Sequence, residues 1–272
     1  TGMPTVSPGY AGGRRKPEFG EGRDGWCDCR ADRLTGILNG VDYSIWDPSV
    51  DRHIPKRYTA KNLRFKKENK IALKTRLALD EQEAPLIGMV GRLAEQKGLD
   101  LVLDALPALM DEEVQLAVVG SGDPALEKAL RTAARRHPGR IGAYIGYDEA
   151  LAHLVEAGAD MFLMPSRYEP CGLNQIYSLR YGTAPIVRAT GGLRDTVVDA
   201  TEEAVRDGSA TGFAFTATTP KALYEATRRA LALYRRPRLW RRLLTTGMAQ
   251  DFSWTASARH YQAIYAEAIA TV

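Results

Sequence analysis

The sequence predicts an α/β fold built on a Rossmann-like, open parallel sheet. Between residues 85 and 188, five short apolar runs alternate with longer runs whose apolar positions have helical spacing. Buried parallel strands are short and apolar throughout, and crossover helices are longer, so this alternation is typical of repeated β-α-β units. Right-handed crossovers then place helices on both faces of the sheet.

The predicted strands are 85–91, 115–120, 141–145, 161–165 and 184–188, and the predicted helices are 62–79, 99–111, 123–136, 149–157, 173–181 and a short turn-helix at 193–198. Asp123 followed by Pro124 is typical of a helix N-cap and first helical position. The last segment is predicted as helices without strands, at 220–235, 239–247 and 254–270. Ligands bind outside the carboxyl ends of the strands in such sheets, so the loops after the strands are the candidate functional segments.

The segment 1–48 differs in composition from the rest of the chain. It is rich in Gly and Pro, with isolated apolar residues and no sustained period. Such a segment predicts loop or linker without a core of its own. We therefore place a domain boundary after residue 48, with a Rossmann-like domain and its terminal helices at 49–272.

The composition is that of an ordinary globular protein, with 44% hydrophobic and 26% charged residues and a formal net charge of +4 over 272 residues. No apolar run approaches the roughly 18 residues of a membrane span. Residues 1–30 lack the apolar core of a signal peptide. The densest basic stretch, 228–242, has helical spacing, which favours a solvated helix face over a nucleic-acid surface. We expect no membrane or nucleic-acid partner.

The cysteines predict neither disulfides nor a metal site. Cys27, Cys29 and Cys171 are too few for a disulfide framework, which favours a reducing cytosol. Cys27 and Cys29 are one residue apart, but no second Cys or His pair lies at ligand spacing.

The loop after the first predicted strand carries two cations, Arg92 and Lys97, on a turn bounded by Gly91 and Gly98. Arg92 is suited to a fork contact and Lys97 to a point-charge contact with a diphosphate. A helix N-terminus follows, and its dipole favours an anion. The alternative is a pair of solvated surface cations, and the residues alone do not decide between the two.

The next two loops carry weaker signals. Gly120 and Gly122 permit either close approach of a ligand or a tight turn. Tyr147 stands at the end of the third strand, where it is placed either to stack on a nucleobase or to pack half-buried.

The loop after the fourth strand is the most informative. Glu169 precedes Pro-Cys-Gly, and a predicted helix begins directly afterwards. Backbone N–H groups of the first helical turn would converge with this carboxylate on one point, an arrangement that holds sugar hydroxyls. The alternative is a helix-capping glutamate. The fifth loop places Gly191 and Gly192 before a helix, which suits a phosphate.

These motifs occur in an order that resembles the glycogen and starch synthases. GRLAEQKG, GSGD, IGYDE, PSRYEPCGLNQ and ATGGLRDTV follow one another, and Thr5–Pro8, 17–20 and 36–42 also match, so the resemblance covers roughly residues 5–270. General retaining glycosyltransferases, which include UDP-sugar enzymes, are a weaker match. They usually carry an aromatic residue and Gly after this Glu, and often a second Glu where this chain has Tyr177.

The resemblance implies the C-terminal domain of the glycosyltransferase B fold, with residues 1–48 as a remnant of the N-terminal domain and hinge. It implies an ADP-glucose-dependent retaining glucosyltransferase that extends the non-reducing end of an α-1,4-glucan in a bacterial cytoplasm. No cofactor or metal is expected, because cations act on the diphosphate. The alternative is a donor-binding module without catalysis, because the family's N-terminal domain is expected to be missing and would be a partner.

The resemblance also assigns residues. Arg92 and Lys97 would bind the ADP phosphates and offset charge on the leaving group. Glu169 would contact the glucosyl hydroxyls, and together these three are the implied catalytic residues. The implied substrate-binding residues are Asn39 for glucose, Tyr147 for adenine, Cys171, Gly172 and Leu173 beside Glu169, and Thr190 and Gly191 for the distal phosphate.

Some positions depart from the family pattern. Gly9, Gly12 and 13–15 stand where a helix is usual, 26–29 replaces an apolar segment, and Arg194 replaces Ala. The tail helix 254–270 usually packs on the N-terminal domain, so here its apolar face is expected to be exposed or to repack on the donor domain.

Overall fold

The computed structural model describes residues 3–20 and 22–270, with the backbone alone at residues 18 and 19. Its centre is a six-stranded, all-parallel sheet of order β5-β4-β3-β6-β7-β8. The strands are β3 (Leu86–Val90), β4 (Gln115–Gly120), β5 (Ile141–Ile145), β6 (Met161–Met164), β7 (Ala184–Arg188) and β8 (Phe213–Phe215), and a separate sheet pairs β1 (Met3–Thr5) with β2 (Leu34–Gly36). The α/β fold with a parallel sheet is confirmed.

The helices are α1 (Pro8–Arg14), α2 (Pro17–Gly20), α3 (Asp24–Asp28), α4 (Lys66–Arg76), α5 (Leu99–Asp111), α6 (Pro124–Arg136), α7 (Glu149–Gly158), α8 (Asn174–Arg180), α9 (Gly191–Thr196), α10 (Glu202–Asp207), α11 (Pro220–Tyr234), α12 (Pro237–Met248) and α13 (Trp254–Ala270). Asp123 caps α6 as predicted, because its side chain accepts hydrogen bonds from the backbone of Ala125 and Leu126.

Both faces of the sheet are buried, which explains the continuous apolar runs. On β4, Leu116 and Val118 face a core shared with α5 and α11, whereas Ala117 and Val119 face a core shared with α4 and α7. This alternation is the two-residue period of a strand that is covered on both sides.

Several predicted elements need correction. The predicted helix 62–79 is instead a 3-10 turn at Ala60–Phe65 followed by α4, because Asn62 has non-helical backbone angles. α9 begins at Gly191, two residues earlier than predicted. β8 and α10 were not predicted, since three residues and six residues are too short to show a period.

The prediction that residues 1–48 form loop or linker is wrong. They contain β1, β2 and three short helices. The glycines do not interrupt α1; they let it approach α9, since a Cβ on Gly9 would lie 2.6 Å from the Gly191 carbonyl oxygen. The Gly9 N–H also donates to Asp195 Oδ2 over 2.7 Å. The domain boundary after residue 48 stays a prediction.

The tail helix α13 keeps its apolar side chains exposed, the first of the two expected outcomes. Trp254, Tyr265 and Ile269 are 52%, 60% and 77% exposed. At its start, Val41 forms a parallel bridge with Ser253, which joins the tail to the segment around Asn39. No helix within the described ranges is both long and apolar enough to cross a membrane.

Candidate active site

The order of the strands places two loops side by side. β3 is central, β4 and β5 extend the sheet to one side, and the chain then crosses back to β6 on the other side of β3. The carboxyl ends of β3 and β6 are therefore the switch point at which ligands bind in such sheets. The loops after them touch, because the Arg167 N–H donates to the Gln96 carbonyl over 2.8 Å. Gly98, at φ 75°, permits this approach, since a Cβ there would lie 2.3 Å from the Pro165 oxygen.

Lys97 and Glu169 meet at this switch point. Lys97 Nζ lies 2.5 Å from Glu169 Oε2, and Ser166 Oγ donates to the same oxygen over 3.2 Å. The Glu169 side chain is 9% exposed and that of Lys97 is 25% exposed. Glu169 does not cap α8, which begins five residues later behind Leu173 with no side-chain cap among the described residues. The capping alternative is therefore excluded.

Arg92 lies on the same loop and is exposed. Its Nη2 donates to Gln96 Oε1 over 2.7 Å, and Gln96 Nε2 donates to the Tyr168 carbonyl over 3.1 Å. No carboxylate in the described part of the chain forms an ion pair with Arg92. The hydrogen bond to Gln96 thus orients the Arg92 side chain, while its positive charge is left available for an anionic ligand.

Tyr147 borders an open hollow of ≈ 290 Å³ at the carboxyl ends of β3, β4 and β5. Its side chain is 85% exposed, which excludes the half-buried packing alternative. Arg92 lines the same hollow. An aromatic face and a guanidinium without a carboxylate partner among the described residues therefore border one space, which suits a nucleotide base and its phosphates.

Gly120 and Gly122 have a structural explanation. A Cβ on Gly120 would lie 1.8 Å from the Gly91 oxygen, and one on Gly122 would lie 2.4 Å from the Leu93 oxygen. The glycines thus allow the loops after β3 and β4 to contact each other through their backbones.

The loop after β7 packs against the Glu169 loop. Gly192 N–H donates to the Glu169 carbonyl over 3.2 Å, and Gly191, at φ 46°, has no room for a Cβ, which would lie 1.9 Å from that oxygen. Thr190 precedes them and is 9% exposed. Gly172 has φ 72°, and Gln175 Nε2 donates to the carbonyls of Cys171 and Gly172 over 3.0 and 3.1 Å. The loop after β7 and the loop after β6 are therefore packed together through their backbones beside Glu169.

Asn39 and Cys171 are also brought together. Burial raises the pKa of the Cys171 thiol, and a backbone hydrogen bond from Asn39 partly offsets this effect. A raised pKa keeps the thiol neutral, so Cys171 contributes packing and backbone position rather than a thiolate. Leu173, by contrast, is 38% exposed at the mouth of the loop.

The sequence did not single out three residues that hold this site. Ser7 Oγ donates to the Pro170 carbonyl over 2.6 Å, and the Tyr10 ring meets the Tyr168 ring edge-on at 5.6 Å. Arg188, at the end of β7, donates to the carbonyls of Ser166, over 2.8 Å, and Arg167. The position of Arg188 at a strand's carboxyl end was the one available signal, because the other two contacts join residues more than 150 positions apart.

Arg194, which departs from the glycogen and starch synthase pattern, and Tyr177, which departs from the general retaining glycosyltransferases, also lie near this site. Arg194 Nη2 donates to the Ala189 carbonyl over 2.9 Å and stays exposed, which adds a cation beside the β7 loop. Tyr177 stacks on Trp46 with ring centroids 3.9 Å apart, so an aromatic contact fills the position of the general family's second glutamate.

Comparison with known proteins agrees with this geometry. Residues 72–242 match the family described as "Glycosyl transferases group 1". Glycogen synthase 2 of Nitrosococcus oceani is 54% identical over 268 residues, which are 98% of this chain and 55% of that protein. The glycogen synthase of Anaeromyxobacter dehalogenans is 54% identical over 97% of this chain and 55% of its own length. The resemblance to glycogen and starch synthases is confirmed.

The structural neighbours show the same fold. The catalytic domain of starch synthase IV from Arabidopsis thaliana, bound to ADP and acarbose, has a TM-score of 0.92 at 34% identity over 99% of this chain and 56% of that one. A sucrose-phosphate synthase from Thermosynechococcus elongatus, with a TM-score of 0.65 and 22% identity over 99% of this chain and 58% of its own, shares the fold alone. The chain spans about half the length of the relatives it matches. The chain belongs to the group 1 glycosyl transferases.

Proposed function

We propose that this chain forms the donor-binding side of an ADP-glucose-dependent, retaining glucosyltransferase that extends an α-1,4-glucan such as glycogen. The observation that carries the proposal is the meeting of Lys97 and Glu169 at the switch point of the sheet. A cation for the leaving phosphate and a carboxylate for the sugar hydroxyls lie next to each other there, as the two halves of an ADP-glucose molecule require.

The diphosphate is held by cations and backbone rather than by a metal ion in this proposal. Arg92 lines the hollow and carries a charge that no carboxylate among the described residues neutralises, and Lys97 lies on the same loop, paired with Glu169. Gly191 of the β7 loop packs against the Glu169 carbonyl, and Thr190 precedes it in the chain; both would contact the distal phosphate. As the bond to the leaving phosphate breaks, negative charge grows on its oxygens, and positioned cations stabilise that charge without reorganisation.

The sugar and the base occupy opposite ends of the donor. Glu169 accepts hydrogen bonds from glucosyl hydroxyls, with the backbone of Cys171, Gly172 and Leu173 beside it and Asn39 reaching the glucose from the hinge segment. Adenine stacks on the exposed ring of Tyr147. Lys97 pairs with Glu169 and would turn towards the phosphate when the donor binds.

The proposed reaction proceeds on one face of the sugar. The bond from C1 to the β-phosphate oxygen breaks while a bond from C1 to the acceptor's 4-hydroxyl oxygen forms, through an oxocarbenium-like transition state. The acceptor proton passes to the departing phosphate oxygen, and ADP leaves. Retention of configuration follows because attack and departure share a face.

The relatives support this proposal through their names: several are glycogen synthases, and the starch synthase neighbour was bound to ADP and acarbose. The acceptor wall of the cleft would come from the half of those proteins that this chain does not match. A bacterial cytoplasm is the proposed location, as for an enzyme that acts on stored glucan.

Calorimetric titration tests the donor site directly. The purified chain is titrated with ADP-glucose, UDP-glucose and ADP, alongside Arg92→Ala, Lys97→Ala and the control Lys128→Ala, which removes an exposed lysine of α6. We expect ADP-glucose to bind with a Kd in the micromolar to millimolar range, and UDP-glucose to bind at least about 10-fold more weakly. Arg92→Ala and Lys97→Ala should each weaken binding of ADP-glucose, whereas Lys128→Ala should not. A chain that unfolds cooperatively on heating but binds no ADP-glucose contradicts the donor site. Equal affinity for both donors contradicts the assignment of ADP.

Transfer is tested by a chimera. The chain is joined to the part of Nitrosococcus oceani glycogen synthase 2 that it does not match, and incorporation of glucose from ADP-glucose into glycogen is measured. We expect incorporation that Lys97→Ala reduces at least about 100-fold. A folded chimera that binds ADP-glucose without transfer would support the binding-module alternative.

A further inference from the structure

A cluster of metal-ligand side chains lies where the segment that follows Asn39 meets α7. His53 belongs to that segment, and Glu149 and His153 stand four residues apart on α7, where they share one helix face. One ligand atom from each of the three side chains lies within 4.8 Å of the other two. None of the three is among the residues proposed to hold the donor.

His153 is fixed in the orientation that a metal ligand needs. Its side chain is fully buried, and Nδ1 lies 2.8 Å from Asp51 Oδ2. Tyr181 OH and the backbone N–H of His53 also donate to the Asp51 carboxylate, which can only accept. Nδ1 of His153 therefore carries the proton, and the lone pair is on Nε2.

Nε2 of His153 is buried and has no hydrogen-bond partner among the described residues. A buried acceptor without a partner costs free energy, and such atoms usually indicate a missing water, ion or functional role. A carboxylate that accepts from one ring nitrogen while the other nitrogen binds the metal is the usual arrangement around metal-bound histidines.

Aromatic stacking holds the ring plane of His153. Trp46 lies against it with ring centroids 3.7 Å apart and planes at 14°. The His53 ring lies 4.7 Å away, tilted by 44°. His53 is partly buried and Glu149 is exposed, so neither side chain is enclosed as His153 is.

We propose that His53, Glu149 and His153 bind a divalent transition-metal ion, with Zn²⁺ as the best match to the donor set. Two imidazoles and one carboxylate suit Zn²⁺ and its neighbours better than Mg²⁺ or Ca²⁺, which prefer oxygen ligands. Three protein ligands leave the fourth tetrahedral position for water.

The geometry fits a site that closes on the ion. Ligand atoms of a tetrahedral Zn²⁺ site are about 3.3 Å apart, given metal–ligand bonds of about 2.0–2.1 Å. The ligand atoms here lie up to 4.8 Å apart, so binding draws His53 and Glu149 inwards by rotamer changes. The two negative charges of Glu149 and Asp51 balance the dication.

Metal binding would tie the segment after Asn39 to the core of the donor domain. Glu149 lies two residues after Tyr147, and Trp46 stacks on both His153 and Tyr177 of α8. The ion is therefore a structural link between that segment and the helices behind the Tyr147 and Glu169 loops. Because it binds the folded state, it raises the thermal midpoint by mass action.

The test uses tag-free protein stripped with EDTA. ZnCl2 is titrated by calorimetry, and the thermal midpoint is measured with and without Zn²⁺, for wild type, His53→Ala and Glu149→Gln. The matched controls are His260→Ala, an exposed histidine, and Glu203→Gln, another glutamate in the first turn of a helix. Cys29→Ser removes the exposed thiol. Co²⁺ replaces Zn²⁺ for an absorption spectrum.

We expect wild type to bind one Zn²⁺ saturably, with a rise in the thermal midpoint. The affinity for Zn²⁺ should be at least about 10-fold weaker in His53→Ala and in Glu149→Gln and unchanged in the three control variants. The Co²⁺ spectrum should show tetrahedral bands without thiolate charge transfer. Absence of binding, binding that His53→Ala and Glu149→Gln leave unchanged, or binding lost in Cys29→Ser would each overturn the proposal. None of these outcomes affects the donor-site proposal, whose titrations contain no metal.

Discussion

Lys97 Nζ and Glu169 Oε2 lie 2.5 Å apart, although the residues are 72 positions apart in the chain. The pair joins the loop after β3 to the loop after β6 at the centre of the sheet. Its partial burial limits screening by solvent, so the pair fixes the relative positions of the two loops more strongly than a surface ion pair would.

Separate substitutions of Lys97 and Glu169 should affect binding of different parts of the donor, the phosphates for Lys97 and the sugar for Glu169. Lys97→Ala removes a charge-assisted contact to phosphate, so we expect affinity for both ADP and ADP-glucose to fall about 10-fold or more. Glu169→Gln should leave ADP affinity within about twofold of wild type and weaken ADP-glucose about 10-fold, because the sugar loses its carboxylate. Calorimetry with both ligands measures this, with Lys128→Ala as control. Loss of ADP affinity in Glu169→Gln would place Glu169 at the phosphates instead.

Tyr147 should contribute through its ring and not its hydroxyl. Stacking of a base on an aromatic side chain contributes about 1–3 kcal/mol, so Tyr147→Ala should weaken ADP binding about 10-fold or more, whereas Tyr147→Phe should bind as wild type does. Because the side chain is 85% exposed, neither variant should lower the thermal midpoint appreciably. If wild type, Tyr147→Ala and Tyr147→Phe bind ADP with equal affinity, the base does not bind against Tyr147.

Gly191 should tolerate no side chain. A Cβ there would lie 1.9 Å from the Glu169 oxygen at a backbone φ of 46°, so we expect Gly191→Ala to lower the free energy of unfolding by about 2 kcal/mol or more and to weaken ADP-glucose binding. Gly12→Ala is the matched control, because a Cβ added there would meet no described atom within 4 Å apart from its chain neighbours and the backbone of its own helix. It should stabilise α1 by about 0.5–1 kcal/mol. Urea denaturation measures both, and a neutral Gly191→Ala would show that the loop adapts.

Glu156 should make stability depend on pH. Burial raises its pKa to about 8 from 4.5, although Ser178 and the charge of Lys66 act in the opposite direction. Ser178 Oγ lies 2.8 Å from both Glu156 Oε2 and the Asn174 carbonyl, and its single proton serves only one of them. A protonated Glu156 can donate to the hydroxyl and satisfy all three groups.

The folded state then binds more protons than the unfolded state between pH 4.5 and about 8, so this group's contribution to stability is lost as pH rises through that window. Glu156→Gln can still donate a hydrogen bond to Ser178, but its side chain does not titrate. We expect the free energy of unfolding of Glu156→Gln, minus that of wild type, to be at least about 1 kcal/mol higher at pH 9 than at pH 5. Urea denaturation at several pH values measures this, with Glu203→Gln as control. A pH-independent difference would show that Glu156 is not protonated in the folded chain.

The sheet was predictable because its signals are local. Of the five predicted strands, β3, β4, β6 and β7 lie inside the sheet and β5 lies at its edge, but helices cover both faces of the sheet, so each strand appears as an apolar run. Asp123 with Pro124 indicates where α6 begins. β8 was not predicted because three residues show no period, and its position depends on pairing with β7 and on burial of Phe213 and Phe215 in the core.

The packing of the N-terminal segment was not predictable. Gly9 and its neighbouring glycines indicate a flexible loop by composition, but in the structure Gly9 lies against Gly191, 182 positions away, where a side chain would not fit. Ser7 and Tyr10 reach the Glu169 loop through contacts of similar separation. A glycine required for a tight contact and a glycine in a loose loop look alike in sequence.

The site itself was partly predictable. Arg92, Lys97, Tyr147 and Glu169 each follow a strand, and parallel strands bring such loops to one edge. The direct pairing of Lys97 with Glu169 and the support from Arg188 depend on side-chain directions that spacing does not encode.

A crystal structure of the chain with ADP-glucose would locate each part of the donor against its proposed residue. We expect adenine against Tyr147, the diphosphate within hydrogen-bond distance of Arg92 and Lys97, and a glucosyl hydroxyl on Glu169, with the ion pair between Lys97 and Glu169 opened. A nucleotide bound elsewhere, or phosphates distant from both cations while Lys97 still pairs with Glu169, would contradict the proposed donor site.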